Sequence, residues 1–303
     1  MAYHADRLTA SADPGYLSRT MKKLGAVIAA LLVLSCGCKG QGSDKGSDGG
    51  ADAGGKVRLL GSSTVTPLAG PLADVYGKTH LTTQFDMEES NSNWGIGALR
   101  SGMTDIALSI KPLSSGEEDK NLVTHPVARD GLCMIVHKDN PVEALSDDQI
   151  RNIFEGKVAN WKEVGGKDAA LVRLNHAEVR TTLVMFVKYL GVQVSDMKYT
   201  DVVIGSDKEA IQGVVNKPDA ITYVSIASAL TAQAAGSPIK LIGFKGVAPT
   251  VANVENGTVP VVYDVDFVTS NAPKPQTKAF VEYATSPAAA EIRKQKNFGA
   301  PKG

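Results

Sequence analysis

The chain has 303 residues, 43% of them hydrophobic and 21% charged, the balance of a globular protein with a sizeable core. Lys plus Arg and Asp plus Glu both number 32, so the formal net charge is zero. That excludes a nucleic-acid binder that works through a broad basic field, but not a binder of small anions, which needs only local donors.

Taken in chain order, the first segment reads as a leader rather than as part of a fold. "MKKLGAVIAALLVLSCGC" (residues 21–38) has two lysines, an apolar run too short to span a membrane, then small residues. Met21 is the expected true start, with residues 1–35 as a signal peptide. "VLSC" resembles a bacterial lipobox, which implies cleavage before Cys36 and lipid attachment to its thiol. The tract "KGQGSDKGSDGGADAGGK" that follows is a flexible tether, so residues 36–56 carry the anchor and its linker. Cys133 then stands alone in an apolar run and reads as a small buried hydrophobe. No His or Cys cluster has metal spacing.

From residue 56 short apolar runs alternate with helical patterns. "KVRLLG", "LTTQFDMEES" and "DIALSI" read as strands, with helices in "TPLAGPLADVYGK" and "NWGIGALRSG" between them. "GLCMIVHKDNP" is a strand that stops at Pro141. "LSDDQIRNIFEG" is a helix with Ser146 and Gln149 as a capping box. "ALVRLN" is a strand and "VRTTLVMFVKYLG" a helix. "GSDKEAIQGVVNKPDA" is a helix capped by Ser206 and Glu209. "AITYVSIA" and "PVVYDVDFVTS" are strands, and "KPQTKAFVEYATS" and "SPAAAEIRKQKNFG" close the chain as helices. Such alternation predicts an α/β fold with largely parallel sheets, in which ligands bind beyond the carboxyl ends of strands. "GSST" (residues 61–64) stands at one such end, and reads either as an anion-holding turn or as an ordinary helix cap.

Several stretches together resemble the phosphate-binding proteins of phosphate ABC transporters, the PstS-like group with the type II periplasmic binding protein fold. They are "GSSTVTPLAGPLADVYGK", "NSNWGIGALRSGMTDIALSIKPLS", "AITYVSIASA" and, most specifically, "IVHKDNPVEALSDDQIRNIFEGKVANWKEVGG". Within the last, Asn160 and Trp161 read as structural. The resemblance implies two lobes, residues 57–130 with 226–303 and residues 131–225, each a mixed, mainly parallel sheet flanked by helices, with a ligand cleft between them. By the same route it implies ligand contacts from Ser63, Thr64, Val65, Ser92, Ser109 and Arg173.

Three stretches depart from the family pattern. Ala177-Glu178-Val179 stand where Ser-Gly-Thr is expected after Arg173, Ile110-Lys111 replace a polar pair, and "SNSNWG" replaces a Gly-Ser-Gly run. Trp94, Lys111, His176 and Arg180 are therefore candidates for an altered pocket. His176 also reads as a solvent-facing loop residue, and Trp94 as either a stacking group or a core residue. No nucleophile elbow, P-loop or zinc pair points to an enzyme. The expectation is an extracytoplasmic lipoprotein of an ABC transporter, a monomer without cofactor or nucleic-acid partner. It would bind phosphate or a related oxyanion, dock on a permease, and touch the membrane only through its lipid. The alternative is a surface lipoprotein that uses the fold for sensing or protein interaction, with the phosphate site lost.

Overall fold

A computed structural model of the chain describes residues 54–113, 120–198 and 201–302. The expected leader, Cys36 and nearly all of the tether lie outside these residues. The elements in order are β1 (Gly55–Ser62), α1 (Thr66–Gly77), β2 (Thr83–Ser90), α2 (Ser92–Arg100), β3 (Ile106–Ser109), β4 (Leu122–His137), α3 (Asp147–Phe154), β5 (Val172–His176) and α4 (Thr181–Leu190). They continue with β6 (Val202–Ile204), α5 (Asp207–Asn216), β7 (Ala220–Ser225), α6 (Ile226–Ala234), β8 (Ile239–Ile242), α7 (Val251–Glu255), β9 (Val262–Ser270), α8 (Pro275–Thr285) and α9 (Ala290–Gln295).

The strands follow the order β2-β1-β3-β9-β4-β7-β5-β6, with β8 also on β4. The outer strands pair in parallel: β1 with β2 and β3, and β5 with β6 and β7. Strands β4 and β9 are antiparallel to their neighbours. β4 belongs to both halves, since residues 122–131 pair with β9 and residues 132–136 with β7. A bulge falls between Pro126 and Ala128, where proline supplies no ladder donor. The fold is thus α/β with a mixed sheet.

Local sequence explains the elements that matter here. Ser146 and Gln149 form the expected capping box on α3, and Gly191 (φ 69°) closes α4 in the left-handed region. Two glycines bring the ends of β1, β3 and α2 together. A Cβ on Gly61 (φ 150°) would lie 2.2 Å from the Leu108 carbonyl oxygen, and one on Gly95 2.6 Å from that of Leu60. The second half is anchored by an aromatic core. Phe186 of α4 stacks on Tyr223 of β7 at 3.8 Å, and Phe154 of α3 meets Phe186 edge-on at 5.0 Å. Trp161 is fully buried and donates its indole N–H to the Asp219 carbonyl at 2.9 Å, a structural anchor.

Five segments differ from the sequence expectation, among them the short helix α7, which the sequence reading leaves out. The first half of β4 carries Pro126 and charged residues and shows no strand alternation. β6 and β8 are too short to show a period. "AITYVSIA" changes state within itself: the strand stops at Ser225, whose hydroxyl accepts from Ser228 N–H (3.1 Å) and starts α6.

Candidate anion site

Four parallel strands end, and four helices begin, around one small cavity. The cavity is lined by Ser62, Ser63 and Thr64 before α1, Asn91 and Ser92 at the start of α2, and Ile110 after β3. Facing them are His176 at the end of β5, Arg180, Thr181 and Thr182 at the start of α4, and Gly205, Ser206 and Asp207 at the start of α5. Helix starts carry free N–H groups and a partial positive charge, so their convergence makes an anion-favouring point. The volume open to the centre of a water-sized sphere is ≈ 10 Å³. That is about the room that one water needs, so the walls stand close together.

The hydroxyl wall is set by short-range bonds. Ser62 Oγ accepts from Thr64 N–H at 3.3 Å, and the Ser62 carbonyl accepts from Val65 N–H at 3.0 Å. Ser92, fully buried, accepts from Ile110 N–H at 3.2 Å, which leaves its own hydrogen for another acceptor. Asn91 caps α2 by accepting from Trp94 N–H at 3.0 Å.

The facing wall carries the charge. Arg180 precedes α4 and its Nη1 crosses the cavity to donate to Ser63 Oγ (3.4 Å) and to the Ser90 carbonyl. Its Nε is buried and has no partner among the described residues. His176 is 1% exposed; its Nε2 lies 2.9 Å from the Tyr223 carbonyl, an acceptor only, so Nε2 carries a hydrogen. Nδ1 is buried and has no partner among the described residues. Asp207 accepts from Ser225 N–H at 3.2 Å and lies 4.0 Å from His176 Nε2. Burial lowers the proton affinity of His176 and raises that of Asp207, each opposed by the charge of the other. Ser206 caps α5 by accepting from Glu209 N–H, and the Glu209 carboxylate accepts from Gly205 N–H at 2.7 Å.

Of the residues expected from sequence, Ser63, Thr64, Ser92, His176 and Arg180 meet at the cavity. The other five do not. Val65 is fully buried in the core, with its N–H spent on Ser62. Ser109 bonds both backbone groups of Lys111 through its hydroxyl. Lys111 donates Nζ to Asn93 Oδ1 at 3.1 Å, outside the cavity. Trp94 is 55% exposed, neither a core residue nor a wall of the cavity. Arg173 sits elsewhere on β5. It lies early in β5, three residues before the strand's carboxyl end, about 10 Å short of the cavity edge. It pairs with Asp201 at 3.1 Å and donates to the Val158 carbonyl at 3.2 Å, a buried clamp. His176 is likewise no solvent-facing loop residue.

Ala177-Glu178-Val179, which stand where Ser-Gly-Thr is expected, precede α4. α4 begins at Thr181, so Arg180-Thr181-Thr182 occupy the turn over the cavity, and Glu178 is exposed outside it. The sequence did not single out Asn91, Thr181, Thr182, Gly205 and Asp207 as cavity residues, and marked Ser206 only as a cap. Thr181-Thr182 directly before the apolar "LVMFV" was the available signal, as was the Ser206 cap.

Comparison with known proteins places the chain in a family. A family model described as PBP superfamily domain matches residues 46–288. The phosphate-binding protein PstS of Bacillus subtilis is 27% identical over 272 residues, 86% of this chain and 87% of that one. An ABC-type phosphate transport receptor from Vibrio cholerae is 27% identical, with a TM-score of 0.66 over 81% of this chain and 100% of its own. A Clostridium perfringens structure titled as a putative phosphate ABC transporter substrate-binding protein with bound phosphate shares the fold. It has 24% identity and a TM-score of 0.75 over 82% of this chain and 100% of its own. This chain belongs to the PBP superfamily and is a PstS-like member of it.

Proposed function

We propose that this protein captures phosphate, or a related small oxyanion, at the point where α1, α2, α4 and α5 begin, and hands it to an ABC permease. It is a binding protein, not an enzyme. One observation carries the reading: a small cavity is ringed by hydroxyls and helix starts, and Arg180 brings a guanidinium into it from the facing wall. Buried, unpartnered Arg180 Nε is a donor that an anion would satisfy. Residues 57–130 with 226–303 and residues 131–225 act as two lobes that close on the ion, with β4 running through both. Closure then reports occupancy, since a bound ion bridges both walls. The protein works outside the cytoplasm as a monomer, held to the membrane by lipid on Cys36. Among the described residues no helix is long and apolar enough to cross a membrane.

The test is calorimetric titration with phosphate after bound ligand has been stripped by unfolding and refolding. Micromolar or tighter binding is expected. No heat with phosphate, followed by silence across sulfate, arsenate and phosphonates, would overturn the reading in favour of an interaction module.

A further inference from the structure

We propose that the protein takes up its oxyanion together with one proton, which lodges on His176 Nδ1 and makes the imidazole a second cationic partner beside Arg180. This rests on the oxyanion reading of the cavity. His176 ends β5 on the cavity wall, all but completely buried. Nε2–H is committed to the Tyr223 carbonyl, so in the neutral ring Nδ1 is a bare lone pair without a partner among the described residues. A lone pair repels the oxygen of an anion, whereas an N–H there gives a charge-assisted hydrogen bond.

The charged groups facing the ring decide when each form exists. Asp207 and Glu209 of α5 favour the cation, while Arg180 at the start of α4 opposes it; Tyr223 of β7 contributes its carbonyl, which also favours the cation. Burial outweighs these in the empty cavity, so the ring there is neutral. A phosphate dianion against Nδ1 adds two negative charges in a site shielded from water, where Coulomb attraction is strong. Solvent supplies the proton, Nδ1 gains a hydrogen, Nε2 keeps its own, and Asp207 at 4.0 Å balances the cation.

The test is titration of the purified protein with inorganic phosphate in buffers of different ionisation enthalpy, from about pH 6 to about pH 9, the upper end being where phosphate is already a dianion. About one proton should enter per phosphate bound near pH 8, and affinity should fall about tenfold per pH unit above it. His176→Gln cannot take the proton, so proton uptake and the pH dependence should disappear while phosphate binding near pH 8 weakens about tenfold or more. On wild-type protein, the 15N resonance of His176 Nδ1 should change from unprotonated to protonated when phosphate is added, a readout that needs no variant. Phosphate binding without proton uptake, or a bound-state Nδ1 that stays unprotonated, overturns this inference and leaves the phosphate reading intact. No binding at any of these pH values overturns both.

Discussion

On one side of the cavity, the ends of β1 and β2 present Ser62, Ser63, Thr64, Asn91 and Ser92, all neutral. On the other, the ends of β5 and β6 present His176, Arg180 and Asp207 among two threonines and a serine. Both sides use one construction, a parallel strand running into a helix start, so the backbone contribution is alike. They differ in what the side chains add. The neutral side fits any oxygen-bearing ion of the right size. The charged side sets the sign and the cost of binding, and it reaches across to Ser63 and Ser90 through Arg180. Shape and charge are thus divided between the two sides.

That division can be broken first at Arg180. Arg180→Ala should weaken phosphate binding about a hundredfold, and Thr64→Val on the neutral side about tenfold, as expected for charged against neutral hydrogen bonds. Equal losses by calorimetry would erase the asymmetry. The next largest effect separates binding from support within the charged half. Arg173→Ala strands Asp201 and should cost about 2–3 kcal/mol of stability. The melting temperature should fall by about 5–10 °C, with phosphate affinity within about twofold of wild type. A large loss of affinity in folded Arg173→Ala would return that residue to the site.

A last test lies in β4, which both halves share, and in its partner β9. Burial pushes Asp130 of β4 up to about 7, against hydrogen bonds from Ser225, Gly131, Ala227 and Tyr263 that pull it down. Burial, with Asp264 nearby, pushes Asp266 of β9 up to about 7 as well. Their ordinary value is 3.8, so between there and about 7 the folded protein holds more protons than the unfolded chain. Stability from both groups should therefore decline as pH rises through that window and level off above it. Asp266→Asn should flatten the slope of melting temperature against pH. An unchanged slope would place the titration elsewhere.

Most strands and helices could be read from period and caps, because their signals are local. Ser146 with Gln149, Gly191 and the apolar run around Cys133 needed no tertiary context. The neutral side of the cavity was legible for the same reason, since Ser62-Ser63-Thr64 follow a strand and precede a helix directly. The charged side was legible only in part: His176 and Arg180 stood out as departures, but two arginines seven positions apart offered two registers. Only the direction of β5 shows that Arg173 lies toward its start and His176 at its carboxyl end. Val65 illustrates another limit: its N–H sits at a helix start, but a turn bond to Ser62 uses it. Asp207 was hidden because a first-turn carboxylate looks like helix capping until the fold turns it toward His176.

The unequal settings of the two tryptophans, Trp94 at 55% exposure and Trp161 at none, give the protein a built-in optical reporter. Trp161, locked under its bond to Asp219, should emit at short wavelength and ignore an aqueous quencher. Trp94 sits on the first turn of α2, two residues beyond Ser92. It should carry the long-wavelength, quenchable part of the emission. Any movement of that turn when the cavity fills would then be visible in the intrinsic fluorescence of unlabelled protein, with Trp161 as the internal reference.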